Sequence, residues 1–219
     1  MAGPGRLAAS ERRTTEEGPT GRTELAIGGI LLAWSFVAAL IVHHSPAPNA
    51  LDRWGLTEFP AVLHSTWMTR VTELGSLSVL VAGSLVAAVI AFGRDRLRAV
   101  ACLVGPVAAT ALAEWVIKPA VGRHYAGVLT FPSGHVTAVA ALGTAWALAV
   151  PHWLRWPVAA LAAVLVGLMT VSVIGLGWHY ASDALVGAAV GCGVVLLVDG
   201  FLHVLVVPVS GSPASPAAG

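Results

Sequence analysis

The sequence predicts an all-α, polytopic membrane protein with six transmembrane helices. Three observations carry that expectation. Of 219 residues, 57% are hydrophobic and 11% are charged, whereas soluble domains carry about 25% charged residues. Several apolar runs reach about 18 residues or more, enough to cross a hydrocarbon core of about 30 Å. The basic residues also divide unevenly between the two sets of connecting loops, as they do when a chain threads a bilayer with a fixed orientation.

The elements follow in order. Residues 1–23 are polar and of mixed charge (Arg6, Glu11, Arg12, Arg13, Glu16, Glu17, Arg22) and read as a disordered cytoplasmic tail. A secretory signal is excluded, because the first apolar run begins too late and is too long. That run, residues 25–43, is the first span. Residues 45–70 hold prolines together with Trp54, Phe59 and Trp67, a composition that suits the membrane interface. The second span covers 72–93, and the basic link Gly93-Arg94-Asp95-Arg96-Leu97-Arg98 separates it from the third, 98–117. A polar loop, 118–133, leads to spans at 134–151, 156–178 and 181–200. The six-helix domain as a whole is assigned to 24–207, and residues 208–219 (rich in Ser, Pro, Ala and Gly) to a flexible tail.

With a cytoplasmic N-terminus, eight of the twelve basic residues lie inside: Arg6, Arg12, Arg13, Arg22, Arg94, Arg96, Arg98 and Arg155. Four lie outside: Arg53, Arg70, Lys118 and Arg123. Lys118 and Arg123 thus stand against the positive-inside bias, which points to an anionic ligand in the loop that carries them. The net charge of +1 gives no reason to expect nucleic acid. Cys102 and Cys192 fall inside apolar runs and read as small core residues. Gly187 and Gly191 form a G-x-x-x-G pair on the sixth span, a close-packing signal.

This topology puts three polar segments at one membrane face: Lys118–Arg123, Pro132–His135 and His179–Asp183. Pro132, Ser133 and Gly134 have the residue types of a helix start that lets a ligand approach the backbone. The free N–H groups of a helix N-terminus attract anions. Lys118 and Arg123 add positive charge and a forked donor for phosphate oxygens. His179 and Asp183 are four apart, so on a helix they share a face. A carboxylate on one imidazole nitrogen fixes the tautomer and leaves the other nitrogen free to attack. His135, a second imidazole, is then placed to protonate a leaving oxygen. The set reads as phosphoryl transfer through a phosphohistidine. Taken singly, each feature has a plainer reading: His135 as an interfacial polar residue, Ser133 as a cap, His179 with Asp183 as a structural hydrogen bond, Glu114 with Lys118 as an i,i+4 pair.

These segments resemble the three signatures of the type-2 phosphatidic acid phosphatase family, membrane lipid phosphatases related to vanadium haloperoxidases. The second signature, P-S-G-H, is present in full as Pro132 to His135, and the third is matched at Ser172, His179 and Asp183. The resemblance covers residues 70–190 and implies a six-helix core with an extracytoplasmic site. It implies a phosphatase that needs no metal or other cofactor and acts on a lipid phosphate or polyprenyl diphosphate. It also implies His179 as nucleophile, Asp183 as its orienting partner and His135 as general acid, with Lys118, Ser133 and Gly134 holding phosphate. The sequence departs from the pattern twice. Tyr125 and Ala126 stand where the first signature has Arg-Pro, with Arg123 two residues earlier, and Val173 replaces the arginine of the third. Losing one preorganised donor costs about 10²–10³ in rate.

Other readings remain open at this level. A lipid headgroup phosphotransferase would use the same phosphohistidine, and His-Tyr-Ala-Ser-Asp resembles the H-Y-x-x-D segment of sphingolipid headgroup transferases. A catalytically weakened lipid-binding protein fits the two departures. An intramembrane serine protease of rhomboid type is disfavoured, because Ser133 lies at a helix mouth. Zinc on His135, His179 and Asp183 is disfavoured by the adjacent cations.

Overall fold

The computed structural model describes residues 20–59 and 65–206. Most of the two expected tails, residues 1–19 and 207–219, and the segment 60–64 lie outside the described residues. The chain forms α1 (Thr20–His44), α2 (Ala50–Glu58), α3 (Thr66–Thr72) with a 3-10 turn at Glu73–Gly75, and α4 (Leu77–Phe92). Next come α5 (Arg96–Val121) and a hairpin of β1 (His124–Tyr125) and β2 (Val128–Leu129). Three helices complete it: α6 (Gly134–Ala149), α7 (His152–Gly175) and α8 (Ala181–Val206).

An apolar helix occupies each of the six expected spans. By length and composition α1, α5, α7 and α8 are able to cross a membrane; α3, its turn and α4 make a fifth if taken together as one span bent by 49°. Helix α6 is apolar but has 16 residues. The polarity of the bundle is inverted relative to a soluble protein. Large apolar side chains such as Ile30, Phe36, Leu77, Val89, Trp153 and Trp156 face outward, while Asp52, Arg123, Asp183 and Asp199 are sealed inside. That distribution suits a hydrocarbon surround, where exposed charge is expensive.

Small residues let the helices approach closely. Helix α8 packs against α1, α5 and α6. A Cβ at Gly187 would come within 2.6 Å of the Ser133 carbonyl, and one at Gly191 within 2.5 Å of the Thr137 carbonyl. The G-x-x-x-G pair therefore seats α8 on α6 within the chain. On another face of α8, Gly193 and Gly200 meet Gly28 and Gly21 of α1. The two cysteines are free, and Cys102 is fully buried with its thiol 3.3 Å from the Ala145 carbonyl.

The segment 45–70 holds more structure than a surface-lying stretch. Asn49 caps α2 by accepting from the Asp52 N–H, while the Asp52 carboxylate accepts from the Asn49 N–H, a reciprocal capping box. Asp52 is at the same time fully buried. At the opposite end of the bundle, Asp95 caps α5 and meets His203 Nε2 at 2.8 Å. Arg98 pairs there with Asp199 at 3.3 Å. Asp199 and His203 therefore join two helices in a buried network.

Candidate active site

The three polar segments meet at the end of the bundle formed by the start of α6, the start of α8 and the end of α5. Ser133 stands at the N-cap position of α6, and its backbone N–H donates to the Asp183 carbonyl at 2.9 Å. Its hydroxyl is buried without a hydrogen-bond partner and makes no capping bond. The first-turn N–H groups of α6 are thus left uncapped by that hydroxyl, the condition under which a helix start binds an anion. His135, one residue into the helix, packs its ring 5.7 Å from that of Trp178. The backbone turn at Gly75 lies against it, and a Cβ there would come within 3.0 Å of His135. The ionisable groups nearest in effect to His135 are His179, Glu114 and Lys118.

His179 is delivered by the way α7 ends. Gly177 takes a left-handed conformation, φ 70°. The Gly177 N–H bonds to the Ile174 carbonyl and the Trp178 N–H to the Val173 carbonyl, the two bonds of a Schellman motif. The His179 N–H then shares the Val173 carbonyl at 3.2 Å. Helix α8 starts two residues later, with the Asp183 carboxylate accepting from the Tyr180 N–H at 3.0 Å. His179 accordingly lies before the helix and not on it, which differs from the shared helix face read from the four-residue spacing. The capping turn still brings its Nδ1 to 3.7 Å from Asp183 Oδ2. That is longer than a hydrogen bond, and Nδ1 is buried with no other partner.

Arg123 has a different place from the one the sequence implied. Gly122, φ 70°, closes α5 and turns the chain so that Arg123 points into the protein, where it is 1% exposed. Its Nη2 donates to Asp52 at 2.6 Å, its Nη1 to Asp183 at 2.7 Å and to Ser182 at 2.8 Å, and its Nε to the Pro46 carbonyl at 3.0 Å. Its guanidinium lies 4.1 Å from the Tyr180 ring centroid, within cation–π range. Four of its five N–H donors are spent on the protein itself, which ties the guanidinium to Asp52, Ser182 and Asp183.

Burial pushes Asp52 up, but hydrogen bonds from Arg123 and Ser182 outweigh it and hold the carboxyl below its ordinary range. Burial alone would lower Arg123, and the two carboxylates hold it raised. Asp52 was not singled out in the sequence. Its signal there is slight: an Asn-x-x-Asp capping pattern in an interfacial segment.

Lys118 opens the last α-helical turn of α5 and donates to both oxygens of Glu114 at 2.7 Å. Residues Leu112–Ile117 form a π-helical turn, a local over-wide turn found often at functional sites. Tyr125, where the resembled signature has arginine, packs its ring 4.5 Å from that of Tyr180 at a tilt of 47°, and it precedes the hairpin turn residues Ala126 and Gly127, which both have positive φ. Val173 is fully buried among Val136, Val139, Met169 and Ala184. No group of three or more His, Cys, Asp or Glu side chains able to hold a metal occurs among the described residues.

Residues 107–197, which contain all three segments, match the profile of the PAP2 superfamily. No curated protein matches the chain. The fold is similar to the crystal structure of the first transmembrane PAP2 type phosphatidylglycerolphosphate phosphatase from Bacillus subtilis. The TM-score is 0.64 and the identity 22%, over 80% of this chain and 94% of that one. The site-bearing segment thus carries the PAP2 superfamily profile, over less than half of the chain, and the structural likeness shows a shared membrane fold.

Proposed function

We propose that the protein is a membrane lipid-phosphate phosphatase that hydrolyses a phosphate monoester or diphosphate of a polyprenyl or glycerolipid at the extracytoplasmic face. The observation that carries this reading is the meeting of His179, Asp183, His135 and Lys118 around the uncapped start of α6. The basic residues Arg22, Arg94, Arg96, Arg98 and Arg155 belong to the opposite end of the helices, which supports cytoplasmic termini.

In this mechanism the phosphate rests on the first-turn N–H groups at Gly134, with Ser133 and Lys118 as further donors. His179 Nε2 attacks phosphorus, and the bond from phosphorus to the lipid-side oxygen breaks. His135 gives that oxygen its proton, so the lipid leaves as an alcohol, or as a monophosphate from a diphosphate. The Asp183 carboxylate stabilises the positive charge that His179 gains, and the 3.7 Å separation closes to a hydrogen bond on substrate binding. Water then attacks the phosphohistidine, returning its proton to His135, and inorganic phosphate departs. Every step uses groups of this chain, and the proton balance closes on His135.

The test is phosphate release by purified protein in detergent, with chelator, from diacylglycerol phosphate and a polyprenyl diphosphate. Release is expected in chelator and lost in His179→Ala; activity retained by that variant overturns the mechanism. Adding a soluble alcohol to the same assay separates hydrolysis from headgroup transfer. The reading of a weakened lipid-binding protein has its own support in the commitment of Arg123 to Asp52 and Asp183, which leaves Lys118 as the basic side chain of the anion site. Lipid binding without turnover is the outcome that favours it.

A further inference from the structure

A carboxylate lies beside the site proposed for the phosphate. Glu114 projects from the π-helical turn of α5 and lays its carboxylate on the Cα of Gly134, in the space that any larger residue's Cβ would fill. Lys118 binds both carboxylate oxygens at 2.7 Å. The imidazole of His135 is close enough to feel both charges, and the preceding residue, Ser133, has a fully buried hydroxyl without a partner. A carboxylate offers two oxygens to a helix start much as a phosphate does. Glu114 is about one-third exposed, so its side chain has room to swing away.

We propose that Glu114 is a built-in occupant of the phosphate seat, which keeps Lys118 and the start of α6 neutralised until substrate displaces it. This rests on the phosphatase reading above. Two consequences follow. An incoming phosphate must compete with a tethered carboxylate, so free inorganic anions bind weakly while a membrane-anchored substrate, present at high local concentration, still enters. After turnover the returning carboxylate expels product phosphate. Glycine at 134 is then required twice, for the ligand's approach and for the occupant's.

The experiment measures orthovanadate binding to the full-length protein in detergent by calorimetry, for wild type, Glu114→Gln and Glu114→Asp, with thermal unfolding as a control for folding. Removing the like charge while keeping the shape is expected to tighten vanadate binding about ten-fold in Glu114→Gln. Glu114→Asp keeps the charge on a tether one methylene too short to reach Gly134, and an affinity between the other two is expected. Equal or weaker binding in a folded Glu114→Gln overturns the inference while leaving the phosphatase reading in place. If Glu114→Gln does not fold, Glu114→Asp decides by the same comparison. Absence of binding in wild type and both variants overturns the phosphatase reading and the inference with it.

Discussion

Replacing Arg123 by methionine tests the buried clamp most directly. The change keeps the unbranched stem of the side chain and removes the guanidinium whose charge Asp52 and Asp183, both fully buried, share. Breaking one buried ion pair costs about 3–5 kcal/mol, and here two are broken. A stranded carboxylate can escape by taking a proton, which sets an upper limit on its penalty. From an ordinary carboxylate pKa of about 3.9, that limit is about 4 kcal/mol per group at pH 7 and about 1.5 kcal/mol at pH 5. The variant is therefore expected to lose about 6–8 kcal/mol at pH 7, the two groups together being capped at about 8 kcal/mol, and to regain up to roughly 3 kcal/mol per carboxylate on acidification to pH 5. The wild type behaves in the opposite sense. Its Asp52 is held below the ordinary range, so that group's contribution is complete above the unfolded pKa and disappears only as pH falls through the lower, folded value. Between pH 7 and 5 it contributes no slope. The assay is unfolding in detergent followed by the fluorescence of the eight tryptophans. A variant within about 1 kcal/mol of wild type at pH 7, or one with the same deficit at both pH values, refutes the account. A stable variant that loses vanadate binding would return Arg123 to the role of phosphate ligand.

Other outcomes follow from the same geometry. His135→Asn is expected to lower kcat about 10²–10⁴-fold for a lipid phosphate, with a smaller effect on KM, because a general acid acts in the transition state; an unchanged kcat excludes that role. Val173→Arg, which restores the residue type of the third signature, is expected to lose about 3 kcal/mol or more of stability and to gain no turnover, since the position is sealed among Val136, Met169 and Ala184. Unfolding and phosphate release measured together check both halves. Gly28→Leu is expected to cost about 1–3 kcal/mol, because even a Cβ there comes within 2.8 Å of the Gly193 carbonyl; a change below 0.5 kcal/mol, on the order of surface substitutions, would mean that α1 and α8 are not tightly joined.

What could be read from the residues follows from which interactions are local. The apolar helices were legible because hydrocarbon length and burial of the backbone leave few alternatives. The gathering of Ser133, His135, Lys118, His179 and Asp183 at one end followed from counting spans. The burial of Arg123 was not legible because its counterion, Asp52, lies 71 residues earlier in a segment without clear periodicity. A buried arginine and a phosphate-binding arginine look alike until the partner is known. The position of Glu114 depends on the π-helical turn, whose extra residue shifts the facing of α5 and leaves no compositional mark. The end of α7 could have been read more closely, since Gly177 followed by Trp178 and His179 is the kind of glycine stop that detaches a histidine from the helix before it.

The glycine contacts between α1 and α8 bear on how the chain is assembled. Gly21 and Gly28 meet Gly200 and Gly193, so the first of the described helices is fastened to the last of them. During synthesis α1 must wait in the bilayer, its small-residue face without α8, until the six helices between them have been made. Truncation anywhere before residue 193 would leave that face permanently bare, and a single-helix fragment supplied separately should be able to rejoin the remainder.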